Sequence, residues 1–176
     1  MTSEIVNIRS ACKDDLAGIL DIYNHAIIHT TSVYSEHVHT YEMRLIWYND
    51  RINSGFPVFV AVAGGLVVGF STFGQFRVWP CYRYTVEHSV YVHTDYRGKG
   101  ISKLLLQPLI DRAREMKLHA MIAGIDAENE VSYHLHQSFG FVEVAHFKEV
   151  GFKFGRWLDL KFMELLLTGQ APSSLL

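Results

Sequence analysis

Cysteine, proline and surplus charge are all scarce in this 176-residue chain, which has two cysteines, four prolines, and 16 Lys plus Arg against 18 Asp plus Glu. Two cysteines give no disulfide framework, so Cys12 and Cys81 read as packing residues of a reduced, cytoplasmic protein. A net charge of −2 leaves no overall field to draw in nucleic acid or an anionic membrane, and any anion site has to be local. The opening MTSEIVNIRS lacks a basic segment followed by an apolar one, so no secretory leader is expected. The longest uncharged run, FPVFVAVAGGLVVGFSTFGQF at 56–76, is broken by Pro57, Gly64, Gly65, Gly69 and Gly74. Its Val and Phe content favours a β-hairpin over a membrane helix. There is no internal repeat, heptad pattern, G-x-x-x-x-G-K-[ST] loop, dinucleotide-binding glycine spacing or serine in a nucleophile elbow. Ten histidines invite a metal, but His37-x-His39 and His134-x-His136 have no acidic or cysteine partner at ligand spacing, and none is assigned.

What is present is apolar residue in quantity: 49% of the chain, enough for one domain to bury its own core without staples. That domain is expected over 1–167, with the tail TGQAPSSLL, 168–176, frayed. Residues 4–9 alternate as a strand. Leu16, Ile19, Leu20, Tyr23 and Ile27 then follow helical spacing over 13–29, and 30–39 is a polar loop. A second helix is predicted from Thr40, through Leu45, Ile46 and Trp47 towards Ile52, ended by Asn53, Ser54 and Gly55. Strands are predicted over 57–63 and 66–75, joined at Gly64-Gly65, and over 84–93 after an irregular aromatic stretch. In the last of these, Thr85, Glu87, Ser89 and Tyr91 point one way and Val86, His88, Val90 and Val92 the other. A helix over 101–116 has the stripe Ile101, Leu104, Leu105, Leu109, Ala113 and Met116, with Pro108 expected to kink it. A strand at 119–125, a helix at 128–138 stopped by Gly140, and strands at 141–145 and 155–166 complete the order. The result is a mixed α/β (α+β) fold, largely antiparallel in its first half, with a parallel crossover through the 101–116 helix.

The stretch VYVHTDYRGKGISKLLLQ turns from strand residues to helix residues through a loop of two glycines and two cations. A helix N-terminus exposes unpaired N–H groups and partial positive charge, and glycine admits a ligand close to the backbone. Arg97, Gly98, Lys99, Gly100, Ile101, Ser102 and the next cation, Lys103, therefore form a candidate cradle for phosphate oxygens, a pyrophosphate above all.

RGKGIS resembles the R/Q-x-x-G-x-G/A coenzyme A pyrophosphate loop of the GNAT superfamily of N-acetyltransferases, and NEVSYHLHQSFGF resembles that superfamily's later helix. YTVEHSVYV, AGIDAENEVSYHLHQSFGF and VGFKFGRWLDLKFMELLL are similar to the phosphinothricin acetyltransferase branch, including its methionine sulfoximine and methionine sulfone acetyltransferases. The resemblance covers roughly residues 5–167. It departs at Ser102, where the loop has Gly or Ala, and at His136, where many GNAT enzymes have a tyrosine. It implies a twisted GNAT sheet flanked by helices, and acetyl-CoA as donor to the amine of a small amino-acid analogue. It also implies a homodimer with the acceptor pocket near the subunit interface. A non-catalytic acyl-CoA sensor, and enzymes acting on peptide N-termini or polyamines, stand as alternatives.

An amine nucleophile must lose a proton before it attacks, and Glu87, a carboxylate inside an apolar strand, is the expected base. Backbone N–H groups around Val90, Tyr91 and Val92 are expected to stabilise the thioester oxyanion if the strand splays there. His136 and Tyr133, three apart, are the two candidates for protonating the thiolate, and Asn129 and Ser132 for holding the pantetheine arm. Arg77 and Arg83 flank the Glu87 strand as candidate partners of an acceptor carboxylate, and Tyr82 is a candidate lining residue. The resemblance places a cation near the substrate at Arg77 and an aromatic lining the acceptor pocket at Tyr34.

Overall fold

The computed structural model describes residues 5–167; the expected frayed tail at 168–176 lies outside the described residues. Seven strands form one sheet in the order β1-β2-β3-β4-β5-β7-β6. They are β1 (Asn7–Ser10), β2 (Val58–Ala63), β3 (Leu66–Gln75), β4 (Thr85–Val92), β5 (Ala120–Asp126), β6 (Val142–Lys153) and β7 (Arg156–Leu166). The helices are α1 (Leu16–His29), α2 (Tyr41–Asn53), α3 (Ile101–Glu115) and α4 (Glu130–Ser138). The β2–β3 hairpin turns at Gly64 and Gly65, with φ of 55° and 82°. Thr40 opens α2 as expected, its hydroxyl accepting from the Met43 amide at 3.3 Å.

Among the described strands one pair of neighbours is parallel. β4 and β5 pair at Thr85↔Ala120, Val86↔Met121 and Glu87↔Ile122, joined through α3. Side chains alternating along β4 divide between two layers. Val86 packs with Leu106, Leu109 and Ile110 of α3, in a core that also holds Met121, Ala123 and Phe141. Tyr91 points the opposite way, against Tyr23 of α1 and Phe70 of β3 at ring-centroid distances of 5.6 and 5.1 Å. There Ile19, Ile22, Val58, Val60 and Phe70 form a second core under α1 and α2.

Several expectations need correction. β6 runs to Lys153, well past residue 145; as an outer strand it is mostly exposed and reads VEVAHFKEVGFK, so its charges face water and hide the strand pattern. Leu104 is 47% exposed, and the buried face of α3 runs instead through Ile101, Leu105, Leu106, Leu109, Ile110 and Ala113. The helix continues through Pro108; the carbonyl that loses its partner there is that of Leu104, on the exposed side. Cys12 and Cys81 are free and exposed, so neither packs. Both stand at short 3-10 turns on the surface, Cys12 just before Lys13–Asp15 and Cys81 within Pro80–Tyr82.

Candidate active site

Beyond Glu87 and Ile122 the two parallel strands part, although each stays paired on its other side. β4 follows β3 as far as Val92, and β5 follows β7 as far as Asp126. His93 N donates to Val68 O on β3, while Tyr84 O accepts from the His119 and Ala120 amides on the β5 side. Polar groups alternate along an unbroken strand, so the even-numbered residues of β4 face β5. The amides of Val90 and Val92 therefore lie along an open edge. This is the splay on which the expected oxyanion donors depended.

The opening widens into a cleft of about 870 Å³, within the range of small-molecule sites. Residues 88–92 and 123–126 form its two walls. Arg97, Gly98 and Ser102 close one end, Asn129, Ser132 and His136 line the α4 side, and Ile22, Ala26 and residues 29–32 line the α1 side. Gly100 caps α3 with φ of 79°, a left-handed conformation that side chains resist, and no side chain bonds the first-turn amides. The loop thus offers free N–H groups beside the Arg97 and Lys99 cations. Lys99 Nζ stands 4.4 Å from the Tyr96 ring, and Arg97 Nε donates to Val92 O at 3.3 Å. Ile101 is itself a core side chain, so only its amide is available, and Lys103 points to solvent. A phosphate-bearing ligand suits this loop: the amides are uncapped and the cations have no carboxylate partner among the described residues.

Glu87 lies on the α1/α2 face, half-buried. Burial pushes its carboxyl above the ordinary glutamate range, and Arg77 pulls in the opposite direction. Arg77 lies 4.0 Å over the Phe76 ring, which meets Tyr82 at 5.9 Å and Phe162 at 6.1 Å. Arg83 turns away, donating to Pro80 O at 3.3 Å and covering Tyr84. Gly124, a cleft residue, has neighbours on this same face: a Cβ there would lie 3.2 Å from Glu87 Oε1 and 3.2 Å from Phe162 Cε1. The missing side chain leaves a floor between the carboxylate and an aromatic wall.

The two acid candidates separate. Tyr133 does not line the cleft; it packs against the main core, with Lys161 Nζ 4.5 Å from its ring. His136 lines the cleft but is buried, its Nδ1 2.6 Å from Ser132 O and its Nε2 3.1 Å from His88 Nε2. Burial holds both imidazoles below the usual histidine value. Asn129 Oδ1 accepts from the Ser132 amide at 3.1 Å, capping α4. Tyr34 reaches the far end of β5, its hydroxyl donating to Asp159 O at 2.9 Å and lying 3.3 Å from Asp126 Oδ2.

Sequence reasoning missed Gly124, Phe76, Phe162, His88 and Lys153. A lone glycine inside the apolar run of β5 was the available signal for Gly124. The rest become neighbours only through sheet order. Lys153 is buried, and its Nζ donates to Thr30 O and Val33 O, each at 2.7 Å, fixing the loop that rims the cleft.

The Acetyltransferase (GNAT) family model matches residues 19–141. The chain belongs to the GNAT acetyltransferase family. It is 48% identical over 162 residues to the L-amino acid N-acyltransferase MnaT of Escherichia coli, covering 92% of this chain and 94% of that one. It is 47% identical over 166 residues to the L-methionine sulfoximine/L-methionine sulfone acetyltransferase of Salmonella typhimurium, covering 94% and 97%. A Salmonella typhimurium acetyltransferase solved with its cofactor acetyl-CoA superimposes with a TM-score of 0.95 at 45% identity, over 98% of this chain and 99% of that one. This GNAT chain is therefore an acetyl-CoA-dependent N-acetyltransferase. Among the described residues no His, Cys, Asp or Glu cluster of three could hold a metal, and no helix is long and apolar enough to cross a membrane.

Proposed function

We propose that this GNAT enzyme acetylates the primary amine of a small amino acid or amino-acid analogue, of the methionine sulfoximine, methionine sulfone or phosphinothricin type. The observation that carries the reading is the half-buried Glu87 carboxylate beside the bare floor at Gly124, with Arg77 bearing on it. An amine resting on that floor loses a proton to Glu87, directly or through water, and its nitrogen then attacks the thioester carbonyl. The open-edge amides of Val90 and Val92 are suited to the oxygen that becomes anionic. Arg77 is the cation for the acceptor carboxylate, and the Phe76, Tyr82 and Phe162 rings suit an apolar, flexible side chain. Amino-acid acceptors of the relatives named above support this class. A polyamine would meet the Arg77 cation where it needs acidic groups.

The loop of residues 97–103 is assigned to the donor pyrophosphate, and Asn129 and Ser132 to its pantetheine arm. Exposed Phe152 and Trp157, with ring centroids 5.1 Å apart on β6 and β7, give an apolar patch suited to a homodimer contact. Free surface thiols at Cys12 and Cys81 suit the reducing cytoplasm. The test is release of coenzyme A thiol from acetyl-CoA against a panel of amino acids, methionine sulfoximine, methionine sulfone, phosphinothricin, polyamines and short peptides. Turnover is expected with one or more members of the amino-acid group. Turnover confined to polyamines or peptides would overturn the assignment.

A further inference from the structure

His88 is the first residue of β4 beyond its pairing with β5, and His136 lies on α4, the helix that follows β5. Their contact therefore crosses the closed end of the wedge. Two Ser132 atoms approach His136 Nδ1: the carbonyl oxygen, which can only accept, at 2.6 Å, and the hydroxyl, which could donate, at 3.4 Å; the much shorter contact puts a proton on Nδ1. A neutral His136 then presents a lone pair at Nε2. His88 Nε2 is 3.1 Å from His136 Nε2 and must carry the proton between them, since two facing lone pairs repel. His88 Nδ1 is left as a bare acceptor, buried and without a partner. The rings are stacked at 5.0 Å and both meet Phe141 edge-on, at 5.6 and 5.2 Å, and among the described residues neither has an ion-pair partner.

We propose that His88 and His136 form a neutral strut, each in one fixed tautomer, and that His136 is a positioning residue with no proton to give the departing thiolate. Its only N–H is committed to a carbonyl, and its other ring nitrogen is already an acceptor. A further proton could enter only at His88 Nδ1, making a cation on a residue 7% exposed, with its chain neighbour Glu87 on the opposite face of β4 and no ion-pair partner among the described residues. This exclusion rests on the acetyl-transfer reading above, whereas the tautomers belong to the chain alone. The proton balance closes without His136. The acceptor arrives as an ammonium and gives one proton to Glu87. After attack its nitrogen still carries a surplus proton, and that one passes to the expelled sulfur as the C–S bond breaks, leaving an amide and a thiol.

Ring ¹⁵N NMR of the histidine-labelled protein tests the strut without reference to turnover. Nδ1–H is expected at His136 and Nε2–H at His88, both neutral between about pH 7 and 9, above the ordinary histidine value. An Nε2–H tautomer or an imidazolium at His136 in that range would overturn the proposal. Kinetics separate positioning from acid catalysis. His136→Gln keeps an acceptor for His88, so kcat is expected to fall by less than about 100-fold, the lower bound for loss of a general acid, with the basic limb of the pH profile unmoved. His136→Phe removes that acceptor and should raise the donor KM more than the glutamine does. A loss of about 100-fold or more in a glutamine variant that melts like the parent would overturn the proposal. If the variants fail to fold, the spectra of the unsubstituted protein decide. Absence of acetyl transfer to any amine would count against the function and leave those spectra unchanged.

Discussion

On the α3 side of the sheet the groups proposed to hold the donor pyrophosphate come from one contiguous run, residues 97–103, whereas the α1/α2 side assembles its proposed acceptor groups from separate strands. Glu87 comes from β4, Gly124 from β5, Phe162 from β7, and Phe76 and Arg77 from the segment just after β3. The first side works through backbone, namely free amides and a glycine at φ 79°, so many side chains are tolerated as long as that conformation survives. The second works through side chains and the space left by one that is missing. Donor recognition should therefore break when the backbone is constrained, and acceptor chemistry when a side chain is resized or discharged.

The largest separation between the two sides is expected at the base. Glu87→Gln should lower kcat by about 100-fold or more while coenzyme A binding, measured by calorimetry, stays within about twofold. Unchanged turnover would remove Glu87 from the chemistry. A smaller effect sets two glycines against each other. Gly124→Val, which crowds Glu87 Oε1 and Phe162, should raise the acceptor KM by roughly tenfold and leave the donor KM alone. Gly100→Val should do the reverse, because the left-handed conformation costs a side chain about 1–2 kcal/mol. If the two variants alter the same constant, the division between the sides is wrong.

The smallest effect, and the sharpest, is in pH. Glu87 must be ionised to accept a proton, and burial raises its folded value, so kcat/KM should climb with pH above the range of a free glutamate. Arg77 holds that value down. Arg77→Ala should therefore shift the acidic limb to still higher pH, besides weakening acceptor binding. A limb that moves to lower pH would contradict the electrostatic role given to Arg77.

Most of the fold could be read from the sequence because each clue was local. Thr40 as a cap, Gly64-Gly65 as a turn and the β4 alternation all act within a few residues. The loop at 97–103 was legible for the same reason. The outer strand β6 is mostly exposed and has no buried face, so the apolar pattern that marks a strand stops short of its end at Lys153. His88 read as one more inward residue of β4; its bond to His136 depends on α4 docking across the wedge. Tyr133 shows the converse. Its spacing from His136 suggested a shared face, yet a separation of three residues turns a helix far enough to bring one ring to the cleft and the other beneath Lys161.

Lys153 ties the rim at residues 30–33 to the end of β6 across sequence separations of 123 and 120. The segment is thus ordered once, during folding, and each arriving ligand is spared the entropy of arranging it. An entrance set in advance sorts candidates by shape on arrival, and evolution can retune that sorting from a strand terminus distant in sequence from the reacting groups.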